Sequence, residues 1–356
     1  MQLTPEEQSR LVPIGWKNQA LPDDAPADAR LVRVVAQHRA GYRIHDGIEE
    51  VTAQPAARFL KAGLEPADRP AVGDFVLVTP GAPPHIERIL PRRTELRRAA
   101  SGERYQHQVI ATNVDTVFVL AGLDGDFNPA RIERYLLLID GSGARAVIVL
   151  TKADTDVDAQ ASVDRVRERI AAPVEIHAIN AKSADSVAPL LAHLGPGETA
   201  VLVGSSGVGK STLTNTLLGE SRQATAAVRD HDSRGRHTTT HRALIPLPSG
   251  ACLIDTPGMR ELKLTGNEEF GEGGQFADIE GLAEACRFAD CGHSNEPGCA
   301  VREALEDGRL DAARWENYCK LVAEKAAAAD SLEEQLRRRG EARRHPEKHH
   351  PRDRYE

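Results

Sequence analysis

The amino-acid sequence predicts a multidomain fold: a small N-terminal β-barrel, a central α/β domain with a largely parallel sheet, and a mostly helical C-terminal domain. Three observations carry this. Short β-rich pieces divided by turns fill the stretch from Leu31 to Leu90, apolar runs of strand length alternate with helical periods between Asn113 and Pro257, and beyond residue 281 the chain turns polar and helical around three cysteines and a histidine. At 356 residues the chain is too long for one ordinary core, and a hydrophobic fraction of 40% suffices to fill several.

Residues 1–28 contain LPDDAPADA and no sustained period, so a flexible leader is expected. Residues 29–98 hold LVRVVAQH, GYRIHDG, AVGDFVLVTPG and HIERIL, short strands that suit a small barrel of the OB or SH3 kind. The segment ILPRRTELRRAASGER follows, with Arg92, Arg93, Arg97, Arg98 and Arg104 available either to grip an RNA backbone or to solvate a linker. In residues 99–280, TVFVLAG, ARAVIVL, VEIHAIN, TAVLVG, RALIPL and ACLID read as strands. RIERYLLLID, VDRVRERIA, VAPLLAHL and STLTNTLLG read as the helices between them, an arrangement that binds ligands at the carboxyl ends of its strands. Residues 281–345 form the helical domain, where Trp315, Tyr318 and Val322 fall at helical spacing and suit a core face. Residues 346–356 mix both charge signs and are expected to be disordered, with ordering on RNA as the alternative.

The bulk properties exclude several classes. A formal net charge of -8 argues against general adhesion to nucleic acid, so any RNA contact rests on local basic patches. No apolar run approaches bilayer length and MQLTPEEQSR has no secretion signal, so a cytoplasmic protein without membrane contact is expected. Five cysteines are too few for a disulfide framework, and three of them crowd together, which points to metal.

GSSGVGKS stands after the apolar strand TAVLV and before the helix TLTNTLLG, the context that a phosphate-binding loop requires. Gly204, Gly207 and Gly209 let the backbone of Ser205, Ser206 and Val208 curl so that its N–H groups and the helix N-terminus converge on phosphate oxygens. Lys210 would reach the β and γ phosphates, Ser211 would offer its hydroxyl to Mg²⁺, and Thr212 completes the helix start. In LIDTPG, Asp255 ends a strand where it can hold a water of the Mg²⁺ shell, and Gly258 can present its N–H to the γ-phosphate. Between these lies DHDSRGRHTTTHRALIP, placed where a switch belongs; Thr238, Thr239 or Thr240 would reach Mg²⁺ only while the γ-phosphate is present.

TKAD, residues Thr151, Lys152, Ala153 and Asp154, ends the strand ARAVIVL. Asp154 can accept from N1–H and the exocyclic amine of guanine, a donor pair that adenine lacks, while the stem of Lys152 lies over the base. Thr151 stands where Asn is usual. NAKS, with Asn180, Ala181 and Lys182, ends the next strand and resembles the second base-contacting loop of GTPases. The order along the chain is therefore base reader, second base loop, phosphate loop, switch, DTPG. A circular permutation of a P-loop GTPase domain accounts for it, since joining the old termini and opening new ones leaves every strand in place. The substrate would be GTP.

CRFADCGHSNEPGC gives Cys286, Cys291, His293 and Cys299 the spacing C-x4-C-x-H-x5-C. Three thiolates and an imidazole suit one tetrahedral Zn²⁺, and four protein ligands leave no position for a catalytic water, so the ion would be structural. Cys252 reads as core and Cys319 as a helix residue.

With GSSGVGKST, GRHTTTH, DTPGMREL and the cysteine-histidine group in this order, the chain from about residue 30 onward resembles the RsgA (YjeQ) family of small-ribosomal-subunit biogenesis GTPases. The resemblance implies an OB-fold barrel, a circularly permuted GTPase domain and a zinc-binding domain. It also implies GTP hydrolysis stimulated by the small ribosomal subunit late in its maturation, with contacts to its rRNA. The residue after DTPG is Met259, which cannot orient a water as a Gln would, so intrinsic hydrolysis should be slow. The resemblance implies that His237 of the switch substitutes. An RNA-binding module whose GTP state only sets affinity is the alternative, which trapping with a non-hydrolysable analogue would separate; an ATP-using P-loop kinase or transporter ATPase fails on TKAD and NAKS. No heptad or exposed apolar stripe demands a partner copy, and a monomer is expected.

Overall fold

The structure is a computed structural model that describes residues 3–26, 28–38, 41–61, 63–99, 107–170, 173–219, 243–255, 264 and 274–344. The leader is built into the fold rather than flexible. Helix α1 (Pro5–Leu11) opens with a capping box in which Thr4 and Glu7 satisfy each other's backbone N–H groups. Strands β1 (Arg30–His38), β2 (Gly41–His45), β3 (Glu50–Pro55), β4 (Phe75–Thr79) and β5 (His85–Ile89) close into a barrel in the order β1-β2-β3-β5-β4-β1, with β3 and β5 parallel. Val32, Val34, Ile44, Val76 and Ile86 fill it. Leu31, Phe75 and Leu77 point outward from the same strands and are covered by Leu11, Ile14 and Trp16 of the leader, with Trp16 edge-on to Phe75 at 4.9 Å. Apart from Arg33, the non-alternating runs LVRVV and FVLV are thus apolar because both faces are buried.

A hairpin of β6 (Glu95–Ala99) and β7 (His107–Thr112) links barrel to α/β domain, and the expected boundary at residue 98 falls inside it. Its Leu96, Ile110 and Ala111 belong to the α/β core. Next come β8 (Thr116–Gly122), α2 (Pro129–Ile139), β9 (Arg145–Thr151), α3 (Ala159–Arg169), β10 (Glu175–Ala178), a short α4 (Ala184–Val187), β11 (Thr199–Gly204), α5 (Lys210–Leu218), β12 (Ala243–Pro246) and β13 (Cys252–Asp255). The segment VAPLLAHL, expected as a helix, is a tight 3-10 run over Ala188–His193 with Pro189 in its first turn. The sheet order is β10-β9-β8-β11-β13-β12, parallel except for β12. Phosphate-loop strand β11 therefore lies between β8, which precedes it in the chain, and β13, which follows it. Alternate residues of these strands pack on opposite layers: Val117, Val119, Ile148 and Val201 with α2 and α3, and Phe118, Leu120, Val147 and Leu202 with α5.

Barrel and parallel sheet join edge to edge through β1 and β12, paired antiparallel at Ala36 and Ala243. A bulge between Val34 and Ala36 makes this possible by bending β1, so Val34 packs in the barrel and Val35 in the α/β core. Beneath this joint lies the fully buried Arg33, which donates to the carbonyls of Ile14 at 2.6 Å, Gly73 at 3.1 Å and Asn113 at 3.2 Å and to the Thr199 hydroxyl at 2.9 Å. One guanidinium thereby ties leader, barrel and β11.

The C-terminal region comprises α6 (Ala277–Glu284), α7 (Ala300–Glu306) and α8 (Ala312–Arg344). Phe276, Ile279, Val301, Ala304 and Leu321 merge with the α/β core, so the expected boundary at residue 280 falls within a helix already packed on that core. Trp315 stacks on Tyr318 at 5.5 Å, whereas Val322, expected on the same face, is 38% exposed. Buried Glu133 of α2 receives Arg169 of α3 at 2.9 Å, Asn317 of α8 at 2.6 Å, and Arg314 of α8, which also reaches Asp278 of α6 at 2.7 Å. No helix among the described residues is long and apolar enough to cross a membrane.

Candidate functional site

At the carboxyl ends of β9, β10 and β11 the predicted loops converge. Gly204 leaves β11 at φ 150, and a Cβ there would lie 2.6 Å from the Leu120 carbonyl of neighbouring β8, so only glycine fits. Gly207 and Gly209, at φ 77 and 105, complete the curl that sets Lys210 at the first turn of α5. The loop is a cradle of backbone with Ser206 and Gly207 exposed at its rim and Val208 anchored in the core. Lys210 Nζ donates to the carbonyls of Gly204 at 2.7 Å and Ser205 at 2.6 Å, which holds the ammonium across the mouth of the loop. Ser211 is exposed and Thr212 half-buried in the same turn. Concentrated N–H groups, a helix N-terminus and a cation at one point suit phosphate.

The TKAD loop is fastened to this cradle. Thr151, expected among the nucleotide contacts, is fully buried, and its hydroxyl donates to the Val208 carbonyl at 2.6 Å. This hydrogen bond ties the end of β9 to the phosphate loop. Lys152 adopts a left-handed backbone, φ 61, which turns the chain out of β9 and leaves Asp154 exposed. The Ala153 N–H donates to the Ile179 carbonyl at 3.1 Å, tying the base reader to the strand end that carries Asn180. In that second loop Asn180 Oδ1 accepts from Lys182 N–H at 2.9 Å, and the buried Ala181 carbonyl accepts from the Thr216 hydroxyl of α5 at 2.6 Å. Both base loops are thus laced to the phosphate loop or its helix.

Asp255 ends β13 at the same edge, in register with Ala243. Its neighbours in the motif, Gly258 and Met259, lie outside the described residues, as do His237, Thr238, Thr239 and Thr240 of the switch.

A second cluster lies between α6 and α7. The Sγ atoms of Cys286, Cys291 and Cys299 and Nδ1 of His293 all fall within 4.8 Å of one another. Cys286 and Cys299 each lie 3.5 Å from Nδ1 and 3.9 Å from each other. A tetrahedral site with metal–sulfur bonds of about 2.3 Å and metal–nitrogen bonds of about 2.0 Å demands edges of about 3.5–3.8 Å, so the donors fit a metal ion. His293 accepts a left-handed backbone at φ 55 to reach the cluster and is covered edge-on by Trp315 at 5.6 Å. Although burial opposes ionisation of Cys286, the Val301 and Ala300 N–H groups at the start of α7 hold its thiol below the ordinary value.

A family model described as RsgA GTPase matches residues 89–265. The small ribosomal subunit biogenesis GTPase RsgA of Xanthomonas euvesicatoria is 54% identical over 338 residues, covering 92% of this chain and 92% of its own. This chain belongs to the RsgA GTPase family. The protein of that name from Xanthomonas axonopodis matches with the same identity and coverage. Among solved structures, YjeQ from Thermotoga maritima superposes with a TM-score of 0.59 at 25% identity, covering 84% of this chain and 99% of its own. YloQ, described as a circularly permuted GTPase, gives 0.56 at 25% identity, covering 87% and 98%. The strand order around β11 in this RsgA GTPase is that permuted fold.

Sequence reading missed the loop after β8. Asp124 pairs with Lys152, and Asp126 accepts from Ser205 at 2.9 Å and pairs with Arg131 at 2.6 Å. Lys152 in the first case, and Arg131 followed by Ser205 in the second, hold these carboxyls below their ordinary range. LDGDFN resembles any polar turn, so only its placement beside β9 and β11 reveals it. The arginine segment also divides differently: Arg92 is mostly buried on Asp74 at 2.8 Å and on the Ala67 and Arg69 carbonyls, and Arg93 pairs with Asp115 at 3.1 Å. These two are structural. Arg97 and Arg98 meet Glu95 and Gln108 on the hairpin, and Arg104 lies outside the described residues.

Proposed function

We propose that this GTPase acts on the small ribosomal subunit late in its maturation, hydrolysing GTP to GDP and phosphate when the subunit stimulates it. The observation that carries the nucleotide part is the convergence of three loops, with Thr151 and Thr216 fastening both base loops to the phosphate cradle at 2.6 Å. The ribosomal part rests on the relatives at 54% identity, which are named for small-subunit biogenesis.

In this reading Asp154 selects guanine by accepting from its two donors, while Lys152, its amine steered by Asp124, covers the base. Backbone N–H groups of residues 205–210 surround the phosphates, and Lys210 exchanges loop carbonyls for β and γ oxygens. Ser211 and a switch threonine, Thr238, Thr239 or Thr240, would hold Mg²⁺ and Asp255 a water of its shell; the ion would supply neutralisation of phosphate charge. Gly258 donates its N–H to the γ-phosphate. Attack by water breaks the bond from the γ-phosphorus to the bridging oxygen, and His237 orients that water when the subunit brings it into place. The closed five-stranded barrel, with β3 parallel to β5, is read here as an OB-fold. It supplies rRNA contacts with the cation-bearing hairpin of Arg97 and Arg98. Cys286, Cys291, His293 and Cys299 would hold one structural Zn²⁺. The protein works in the cytoplasm as a monomer.

GTP turnover by the purified protein with small subunits, large subunits or neither tests this. Stimulation confined to small subunits is expected, and His237→Ala should abolish it while keeping nucleotide affinity. Turnover indifferent to ribosomal particles would overturn the ribosomal reading, and unchanged stimulation in His237→Ala would remove the catalytic histidine.

A further inference from the structure

Away from the nucleotide loops, β10 begins at the edge of the sheet with Glu175 and His177 two residues apart and so on one face. The 3-10 run that follows α4 ends at His193, which returns to this same point. Nε2 of His193 lies 3.2 Å from Oε2 of Glu175, and Nε2 of His177 lies 3.5 Å from that same oxygen. One donor atom from each of the three falls within 4.8 Å of the others.

We propose that Glu175, His177 and His193 form a second metal site, for a borderline divalent ion of the Zn²⁺ class. Three features support it. A tetrahedral ion with bonds of about 2.0–2.1 Å to nitrogen and oxygen separates its donors by about 3.3–3.4 Å, and the two histidine–carboxylate distances, 3.2 and 3.5 Å, bracket that value. A charge-assisted histidine–carboxylate hydrogen bond closes to about 2.7–2.9 Å, and neither histidine does so here. His177 Nε2 is also shielded from solvent without a hydrogen-bond partner, an arrangement that costs free energy unless a further ligand meets that lone pair.

Two imidazoles and one carboxylate are a borderline donor set that discriminates against Mg²⁺ and Ca²⁺. His193 is 5% exposed and lies edge-on to Phe118 at 6.0 Å, so one ligand is rigidly held. The Glu175 side chain is 55% exposed, which gives an ion its route in and leaves a fourth position for water. The ligands flank the loop of Asn180–Lys182 in the chain, so binding would clip together the two ends of the segment that carries it and stabilise that segment.

The test is zinc stoichiometry on the full chain after equilibrium dialysis, with Co²⁺ as a spectroscopic probe. The wild-type protein should take two equivalents: one with thiolate charge-transfer bands from the cysteine cluster, and a second without them that raises the melting temperature. Glu175→Gln and His177→Asn should keep the first and weaken the second by more than about a hundredfold, since even outer-shell changes cost about 10–100-fold. Glu175 is exposed and His177 partly so, whereas His193 is buried, so these two substitutions carry less folding risk than replacing His193. A single equivalent in the wild type, or two in His177→Asn, would overturn the proposal.

Discussion

Thr151→Val tests whether the base reader and phosphate cradle act as one unit. The substitution keeps the volume of a fully buried side chain and removes the hydroxyl that donates to the Val208 carbonyl at 2.6 Å. A buried carbonyl that loses its partner costs about 1–3 kcal/mol. The free variant can relieve that cost by letting the loops separate until water reaches the carbonyl, and a nucleotide bridging base reader and cradle must draw them back. The cost therefore surfaces in binding, as an affinity loss of about 5- to 150-fold at 1.4 kcal/mol per tenfold. Because the γ-phosphate is not involved, GTP and GDP should weaken by the same factor, and Thr151→Ser should behave as wild type. Fluorescent GDP and GTP analogues titrated into the three proteins measure this. Affinities for Thr151→Val within twofold of wild type would refute the bracing role.

Other outcomes follow from the same structure. Gly204→Ala places a methyl 2.6 Å from the Leu120 carbonyl and should abolish nucleotide binding while the barrel stays folded, read by titration and circular dichroism. Removing metal with a strong chelator, or Cys286→Ser, should lower the melting temperature and release the region around Trp315, whose ring covers His293 at 5.6 Å; unaltered tryptophan emission would contradict this. Glu133→Gln leaves Arg169 and Arg314 buried beside a neutral amide and should destabilise the fold by about 3–5 kcal/mol in urea unfolding. Asp115 is desolvated, yet Lys17, the Thr199 N–H and Arg93 hold its carboxyl below the ordinary value of 3.8. A depressed carboxyl stabilises the fold above that pH and loses its contribution as pH falls through the folded value. The stability gap between wild type and Asp115→Asn should thus be largest near neutrality and shrink below about pH 4; a constant gap would argue against the ion pairs.

Much of the site was legible because its pieces are local. GSSGVGKS, TKAD, NAKS and CRFADCGHSNEPGC each specify a turn or donor group from contiguous residues, and their order in the chain identifies the permutation that the strand order displays. The leader was misread because its apolar residues are sparse. Its evidence lies in β1 and β4, whose apolar outward faces need a cover.

The sequence by itself determined the glycine-rich curl after β11, the turns that end β9 and β10, the metal-binding spacing and the alternation of strands and helices, since each depends on backbone conformations and side-chain types within a few residues. Tertiary structure alone decided what fastens these parts together. Thr151 meets Val208 across 57 positions of chain, Ser205 meets Asp126 across 79, and Arg314 meets Glu133 across 181. Such pairs carry no local signature, because a hydroxyl or carboxylate acquires its partner only when strand order and helix packing bring the two together.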